Sequence, residues 1–154
     1  MSMSPETISY KRNTATYGEV LSHLLKCDEY FIPRLSDKTD IAGYSAKIVH
    51  NSIIFEAWKS DELVAVIAAY FNDETNKAGF ITNVSTLKEF SGKGIASKLL
   101  KQCIDYAEEN SYEEIRLEVS RSNDTAVALY KKNNFITAEI KNDLLVMKKY
   151  LHKI

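Results

Sequence analysis

The chain has 154 residues, room for one ordinary hydrophobic core and too few for two. Apolar residues make up 45% and charged residues 27%, which excludes disordered, collagen-like and membrane-spanning classes; no apolar run approaches the roughly 18 residues a helical span needs. With 20 Lys and Arg against 21 Asp and Glu, the net charge of -1 supplies no global basic field for nucleic acid or an anionic membrane, so neither is expected as a partner.

Cys27 and Cys103 lack CxxC spacing and read as two buried, reduced thiols, with no metal site implied. Met1 to Asn13 contains no signal-type apolar stretch, and a cytoplasmic protein is expected. A short strand near Ile8–Lys11 is followed by helical spacing at Val20, Leu21, Leu24 and Leu25, which predicts a helix over about Ala15 to Cys27. Ile41, Tyr44, Ser45 and Ile48 predict a second helix, entered through Ser36 or Asp37 as its cap.

From Ser52 the texture becomes β-branched and aromatic. Residues 52–58, a turn at Ser60-Asp61-Glu62 and the apolar run Leu63 to Phe71 predict a hairpin whose second strand is buried on both faces. Asn72 to Lys77 reads as a turn and Ala78 to Thr86 as the next strand. Ile95, Leu99, Leu100, Cys103, Ile104 and Ala107 share one helical face. A strand at Ile115–Val119 follows, then a short helix capped by Asn123 or Asp124, then strands near 135–140 and 144–150. The pattern predicts an α/β fold with a mixed, mostly antiparallel central sheet flanked by helices. Lys148-Lys149 reads as a solvated strand edge, and an exposed closing strand leaves a homodimer open.

Two segments carry chemistry. Ser91-Gly92-Lys93-Gly94-Ile95-Ala96-Ser97 lies between an apolar strand and an amphipathic helix, where glycines allow a tight turn and the helix N-terminus offers unpaired N–H donors to a pyrophosphate. It is neither a Walker loop nor a dinucleotide fingerprint, and an ordinary structural turn stays open. The second segment runs from Leu117-Glu118-Val119 through Asn123 to Leu129-Tyr130 and Asn134-Phe135. A carboxylate at Glu118 in mid-strand is costly to desolvate, so it pairs with a neighbour or lines a cleft. Asn134 occupies a helix end where left-handed geometry suits Asn.

Together the two segments resemble the GNAT superfamily of N-acetyltransferases. The first is similar to that family's acetyl-CoA loop, [RQ]-x-x-G-x-[GA], with Ser91 standing where Arg or Gln is usual. The second is similar to its N-x-x-A-x-x-L-Y-x-x-x-G-F run, with Asn134 in place of Gly. The wording from Leu117 to Tyr130 is locally similar to the bacterial ribosomal-protein alanine N-acetyltransferases. The resemblance covers the chain from about Phe55 onward and implies a single acetyltransferase domain over residues 1–154.

The resemblance implies that acetyl-CoA is the acyl donor and a primary amine the acceptor. Backbone N–H groups around Ser85 and Thr86 would bind pantetheine and the thioester oxygen, residues 91–97 the pyrophosphate, and Asn123 the pantetheine arm. Tyr130 is the expected general acid, against a plain core tyrosine; Glu118 is the expected general base through a water, against an ion pair on a neighbouring strand. His23, His50 and His152 share no ligand spacing and read as surface or helix-end residues. Tyr44, Tyr70, Phe71 and Trp58 are core residues or the lining of an acceptor pocket. A small amine such as an amino sugar ranks first as acceptor, a protein N-terminus second, and a non-catalytic acyl-CoA sensor is the rival of another class.

Overall fold

Residues 7–151 are described by the computed structural model. The chain opens with β1 (Ser9–Arg12), α1 (Tyr17–Cys27), a short α2 (Leu35–Lys38) and α3 (Ile41–Asn51). Then come β2 (Ile53–Lys59), β3 (Glu62–Asp73), β4 (Ala78–Thr86), α4 (Ile95–Glu109), β5 (Glu114–Ser120), α5 (Asp124–Lys132), β6 (Ile136–Lys141) and β7 (Leu144–Tyr150). The strands form one seven-stranded sheet in the order β1-β2-β3-β4-β5-β7-β6. Only β4 and β5 pair in parallel, joined by the α4 crossover; every other pair is antiparallel.

Local chemistry accounts for the element ends. Thr16 and Glu19 form a reciprocal capping box at the start of α1. Asp40, not Ser36 or Asp37, caps α3 by accepting from Gly43 N–H at 3.0 Å, because Ser36 and Asp37 fall inside the separate one-turn α2. Asn72 and Asp73 belong to the end of β3 rather than to the turn; Asp73 accepts from the Asn76 backbone N–H at 3.0 Å and closes the turn from there.

The sheet buries two layers. On one face α4 lays Leu99, Leu100, Cys103 and Ala107 over Ala65, Ile67 and Ala69 of β3 and over Ile115 and Leu117 of β5. On the other, Val20 and Leu24 of α1 and Ile41 and Ile48 of α3 pack over Ile54, Val66 and Ala68. This double cover is why β3 reads as an unbroken apolar run. Each Leu or Ile so buried contributes about 1.5–3 kcal/mol of transfer free energy. Both cysteines are buried and free, and burial raises their thiol pKa values, that of Cys27 to about 12.

Beyond β4 the α1/α3 face is open: Glu118, Ile136 and Tyr150 are all exposed there. The last strand in sequence is not an edge, since β7 lies between β5 and β6. Lys148 is accordingly no solvated edge residue; its Nζ lies 3.8 Å from Glu114 on the neighbouring strand. The exposed edge at this end is β6. No helix among the described residues is long and apolar enough to cross a membrane.

Candidate active site

The site begins where two strands part. Parallel pairing of β4 with β5 ends at Ile81 opposite Leu117, while β4 stays paired to β3 as far as Thr86. Residues 82–86 of β4 therefore have one edge without a strand. Alternation fixes which groups face that edge. Leu87 N–H donates to the Val64 carbonyl at 2.8 Å, and Ser85 stands opposite Val66. In such a ladder the main-chain groups of Ser85 point to β3, and those of Val84 and Thr86 point into the opening. Of the two residues expected there, Thr86 offers its amide; the Ser85 amide is spent on β3, and the second outward amide is that of Val84.

The loop after β4 is built to leave donors free. Gly92 and Gly94 take φ of +74° and +80°, and a Cβ at either would meet no atom within 4 Å, so both border open space. Gly94 is the N-cap of α4 and brings no side-chain cap. The first bond of the helix runs from Lys98 N–H to the Gly94 carbonyl at 3.1 Å, so the N–H groups of Ile95, Ala96 and Ser97 precede it and point out of the helix end. Ile95, 4% exposed, pins that first turn to the core. The Ser91 hydroxyl donates to the Lys88 carbonyl at 2.7 Å, closing its own turn instead of facing the loop's open side. The Lys93 ammonium lies over the Phe90 ring and Lys98 over Tyr10, the latter at 4.2 Å.

Glu118 and Tyr130 lie on opposite sides of the sheet. Leu117 faces the α4 layer, so Glu118, the next residue and the first past the last β4–β5 pair, faces the α1/α3 side. It is exposed, with no ion pair among the described residues. The predicted desolvation cost does not arise, because no helix covers that part of the sheet.

Tyr130 is 6% exposed and sits in the α4-side core. Its placement follows from the end of α5. Asn134 adopts φ of +69°, its N–H bonds to the Lys131 carbonyl, and the Phe135 N–H reaches back to the Tyr130 carbonyl at 3.0 Å. That is a Schellman motif, with the accompanying contact made by the Phe135 and Tyr130 rings at 5.8 Å. Asn in place of the family's Gly thus keeps the geometry. Burial pushes the Tyr130 phenol well above its ordinary pKa, so it holds its proton at neutral pH. At the other end of α5, Asn123 Oδ1 caps the helix by accepting from Ala126 N–H at 3.2 Å, which leaves its Nδ2 uncommitted.

On the Glu118 side, Tyr44 of α3 reaches β4, its hydroxyl 2.8 Å from the Thr82 carbonyl and 2.7 Å from Thr82 Oγ1. Tyr70 shares that face, with a buried hydroxyl that has no hydrogen-bond partner among the described residues and with Lys47 over its ring at 5.4 Å. Phe80, opposite Tyr70, is 36% exposed. Trp58 and Phe71 pack elsewhere in the core and take no part. His50 is exposed at the end of α3 as expected, and His152 lies outside the described residues. His23, read as a surface or helix-end residue, is instead buried beneath Ser85 within α1. Its place at i+3 in the stripe Val20, His23, Leu24, Cys27 was the available signal.

The profile of the acetyltransferase (GNAT) family matches residues 19–135. The N-alpha-acetyltransferase MAK3 of Arabidopsis thaliana is 33% identical over 88 residues, 56% of this chain and 46% of that protein. An N-alpha-acetyltransferase of Saccharolobus solfataricus is 43% identical over 61 residues, covering 38% of this chain and 36% of that protein. The chain thus spans less than half the length of the curated relatives it matches. The ribosomal-protein-S18-alanine N-acetyltransferase of Escherichia coli superposes with a TM-score of 0.72 at 15% identity, over 96% of both chains. The PaiA N-acetyltransferase of Thermoplasma acidophilum, solved with coenzyme A, gives 0.72 at 16% identity, over 92% of this chain and 99% of that one. These structures share the fold, and the profile covers most of the sequence: the chain belongs to the GNAT acetyltransferase family.

Proposed function

We propose that this protein transfers an acetyl group from acetyl-CoA to a primary amine, and that the amine is the α-amino group of a peptide. The parting of β4 from β5, with Glu118 on one face and Tyr130 on the other, is the observation that carries the reading. The donor set fits acetyl-CoA. The amides of residues 95–97 and the open space beside Gly92 and Gly94 suit the pyrophosphate, aided by the partial positive charge of the α4 N-terminus. The Val84 and Thr86 amides and Asn123 Nδ2 suit the pantetheine arm. Bound there, acetyl-CoA supplies an activated acyl group.

The remaining work falls to the chain's own groups. Outward amides of β4 offer preformed donors where negative charge develops on the thioester oxygen. Glu118, exposed to water, draws the proton from the incoming ammonium, directly or through a water molecule. Tyr130, protonated near neutral pH as phenols are, returns a proton to the departing sulfur. Acceptor and donor approach from opposite faces, so acid and base work on different atoms without competing for the same proton.

Two things favour a peptide α-amine. The relatives matched among curated proteins are named N-alpha-acetyltransferases. The face beside Glu118 is open past β4, with Tyr44, Tyr70 and Phe80 along one side, room for an extended chain. A small polar amine is the second reading, favoured by the mixed lining in which Lys47 sits over Tyr70. Release of CoA thiol, followed with peptides, amino sugars and polyamines in parallel, tests the choice. Peptide-dependent release is expected. Release with amino sugars or polyamines alone reassigns the acceptor, and acetyl-CoA binding with no release on any amine points to the sensor.

A further inference from the structure

The second half of β4 has lost its β5 neighbour, so one edge alone holds the Val84 and Thr86 amides in place. On the α1 face of the same segment lies a buried polar chain that the transfer chemistry leaves unused. His23 is 2% exposed, with Nδ1 3.1 Å from the Leu63 carbonyl and Nε2 2.9 Å from Ser85 Oγ. Ser85 Oγ lies 2.8 Å from the Asn83 side-chain amide oxygen, and Cys27 Sγ approaches the same Nε2 at 3.7 Å. Cys27, Asn83 and Ser85 are each buried too.

The protons in this chain can be counted. A carbonyl only accepts, so Leu63 takes the Nδ1 proton, and in a neutral ring Nε2 is then an acceptor. Burial keeps the ring neutral, lowering its pKa to about 4. The Ser85 hydroxyl must therefore donate to Nε2. Having one proton, it cannot also donate to the Asn83 amide oxygen 2.8 Å away; a half-turn of the Asn83 amide would present its NH2 to Ser85 instead. The result is one directed chain from β3 through α1 to β4, with Ser85 in the half of β4 that has no β5 neighbour.

We propose that His23 is a positioning residue for acetyl transfer: through the Ser85 hydroxyl it clamps the free half of β4, so that the Val84 and Thr86 amides stay aimed into the opening. The inference rests on the acetyl-transfer reading above. Donors stabilise developing charge only when they need no rearrangement at the moment of reaction. A clamp behind them therefore acts on kcat more than on affinity for acetyl-CoA.

Steady-state kinetics and thermal melting of His23→Leu and His23→Gln, beside the wild type, test this. Leu fills the space without an acceptor, whereas Gln places an amide oxygen near the position of Nε2. His23→Leu is expected to lower kcat about tenfold with KM for acetyl-CoA within about twofold, and His23→Gln to recover most of the rate. Melting should not follow that order, because a second buried amide leaves His23→Gln no more stable than His23→Leu. Opposed rankings of rate and stability are an outcome that lost packing alone does not produce. Unchanged kcat in His23→Leu, or His23→Gln as slow as His23→Leu, overturns the clamp. Should His23→Leu fail to fold, Ser85→Ala cuts the same link from the other side and must show the same kcat loss; full kcat there also overturns it. A wild type that transfers no acetyl group overturns the acetyl-transfer reading and the clamp together, whereas an active wild type with unaltered variants overturns the clamp alone.

Discussion

Glu56 on β2 and Glu118 on β5 are both mid-strand carboxylates on the α1/α3 face of one sheet, and they have opposite surroundings. Glu56 is 0% exposed; its carboxylate accepts from Thr14 N–H at 2.8 Å, Thr14 Oγ1 at 2.5 Å, Ala15 N–H at 3.0 Å and Trp58 Nε1 at 3.0 Å. Three of these donors tie the β1–α1 connection to β2, and all four together satisfy a charge that would otherwise be costly to bury. Glu118 stands past the last β4–β5 pair, on the half of the face that no helix covers, and holds no such set. Position in a strand therefore does not decide what a carboxylate costs; the cover over that strand does. One glutamate anchors the fold, and the other stands exposed with no ion pair among the described residues.

Substitutions at the two sites should separate stability from rate. Glu56→Ala leaves buried donors of Thr14, Ala15 and Trp58 unpaired and should cost about 4 kcal/mol in denaturant unfolding, with kcat unchanged in the molecules that remain folded. His23 extends the comparison to a second buried ionisable group on the covered half. Its pKa is lowered from 6.5 to about 4, chiefly by desolvation, with Lys26 lowering it further and the Leu63 and Ser85 bonds and Glu62 opposing. The unfolded chain thus binds the extra proton first as pH falls. His23's share of stability is complete above about pH 6.5 and is lost between there and about pH 4, roughly 3 kcal/mol in all. Unfolding measured across that window should be flatter in His23→Leu than in the wild type.

On the open half the effects fall on turnover. Tyr130→Phe should lower kcat about a hundredfold with acetyl-CoA affinity intact, and a rate unchanged at every pH contradicts the general-acid role. Glu118→Gln should lower kcat about tenfold near neutrality, the deficit closing as rising pH deprotonates the acceptor amine without help. Its unfolding free energy should stay within about 0.5 kcal/mol of the wild type, in contrast to Glu56→Ala. If Glu118→Gln lowers stability instead of rate, the two glutamates play the same part and the comparison collapses.

Much of the covered half was legible in the sequence. Double burial writes a continuous apolar run, so Leu63 to Phe71 falls inside β3; Ala78–Thr86 coincides with β4, and the stripe from Ile95 to Ala107 with the buried face of α4. The glycine loop and the Asn123, Tyr130 and Asn134 positions were equally visible, because their backbone and capping demands are local. Strand order was not. Nothing in Leu144–Tyr150 distinguishes an inner strand from an edge, so β7 was misplaced and Lys148 with it. Nor is the parting of β4 from β5 a property of either segment alone, and which amide faces it depends on register with β3. Glu56 did leave a trace, a lone carboxylate among Ile54, Phe55, Ala57 and Trp58, but three of its four donors come from Thr14 and Ala15, about 40 positions away.

Calorimetric titration of acetyl-CoA into the wild type and Gly94→Val tests the account most directly. Val at φ of +80° is strained and fills the space left beside the α4 N-terminus. The wild type is expected to bind on the order of micromolar, and a folded Gly94→Val not detectably. A folded wild type that does not bind, or a variant that binds equally well, contradicts that expectation.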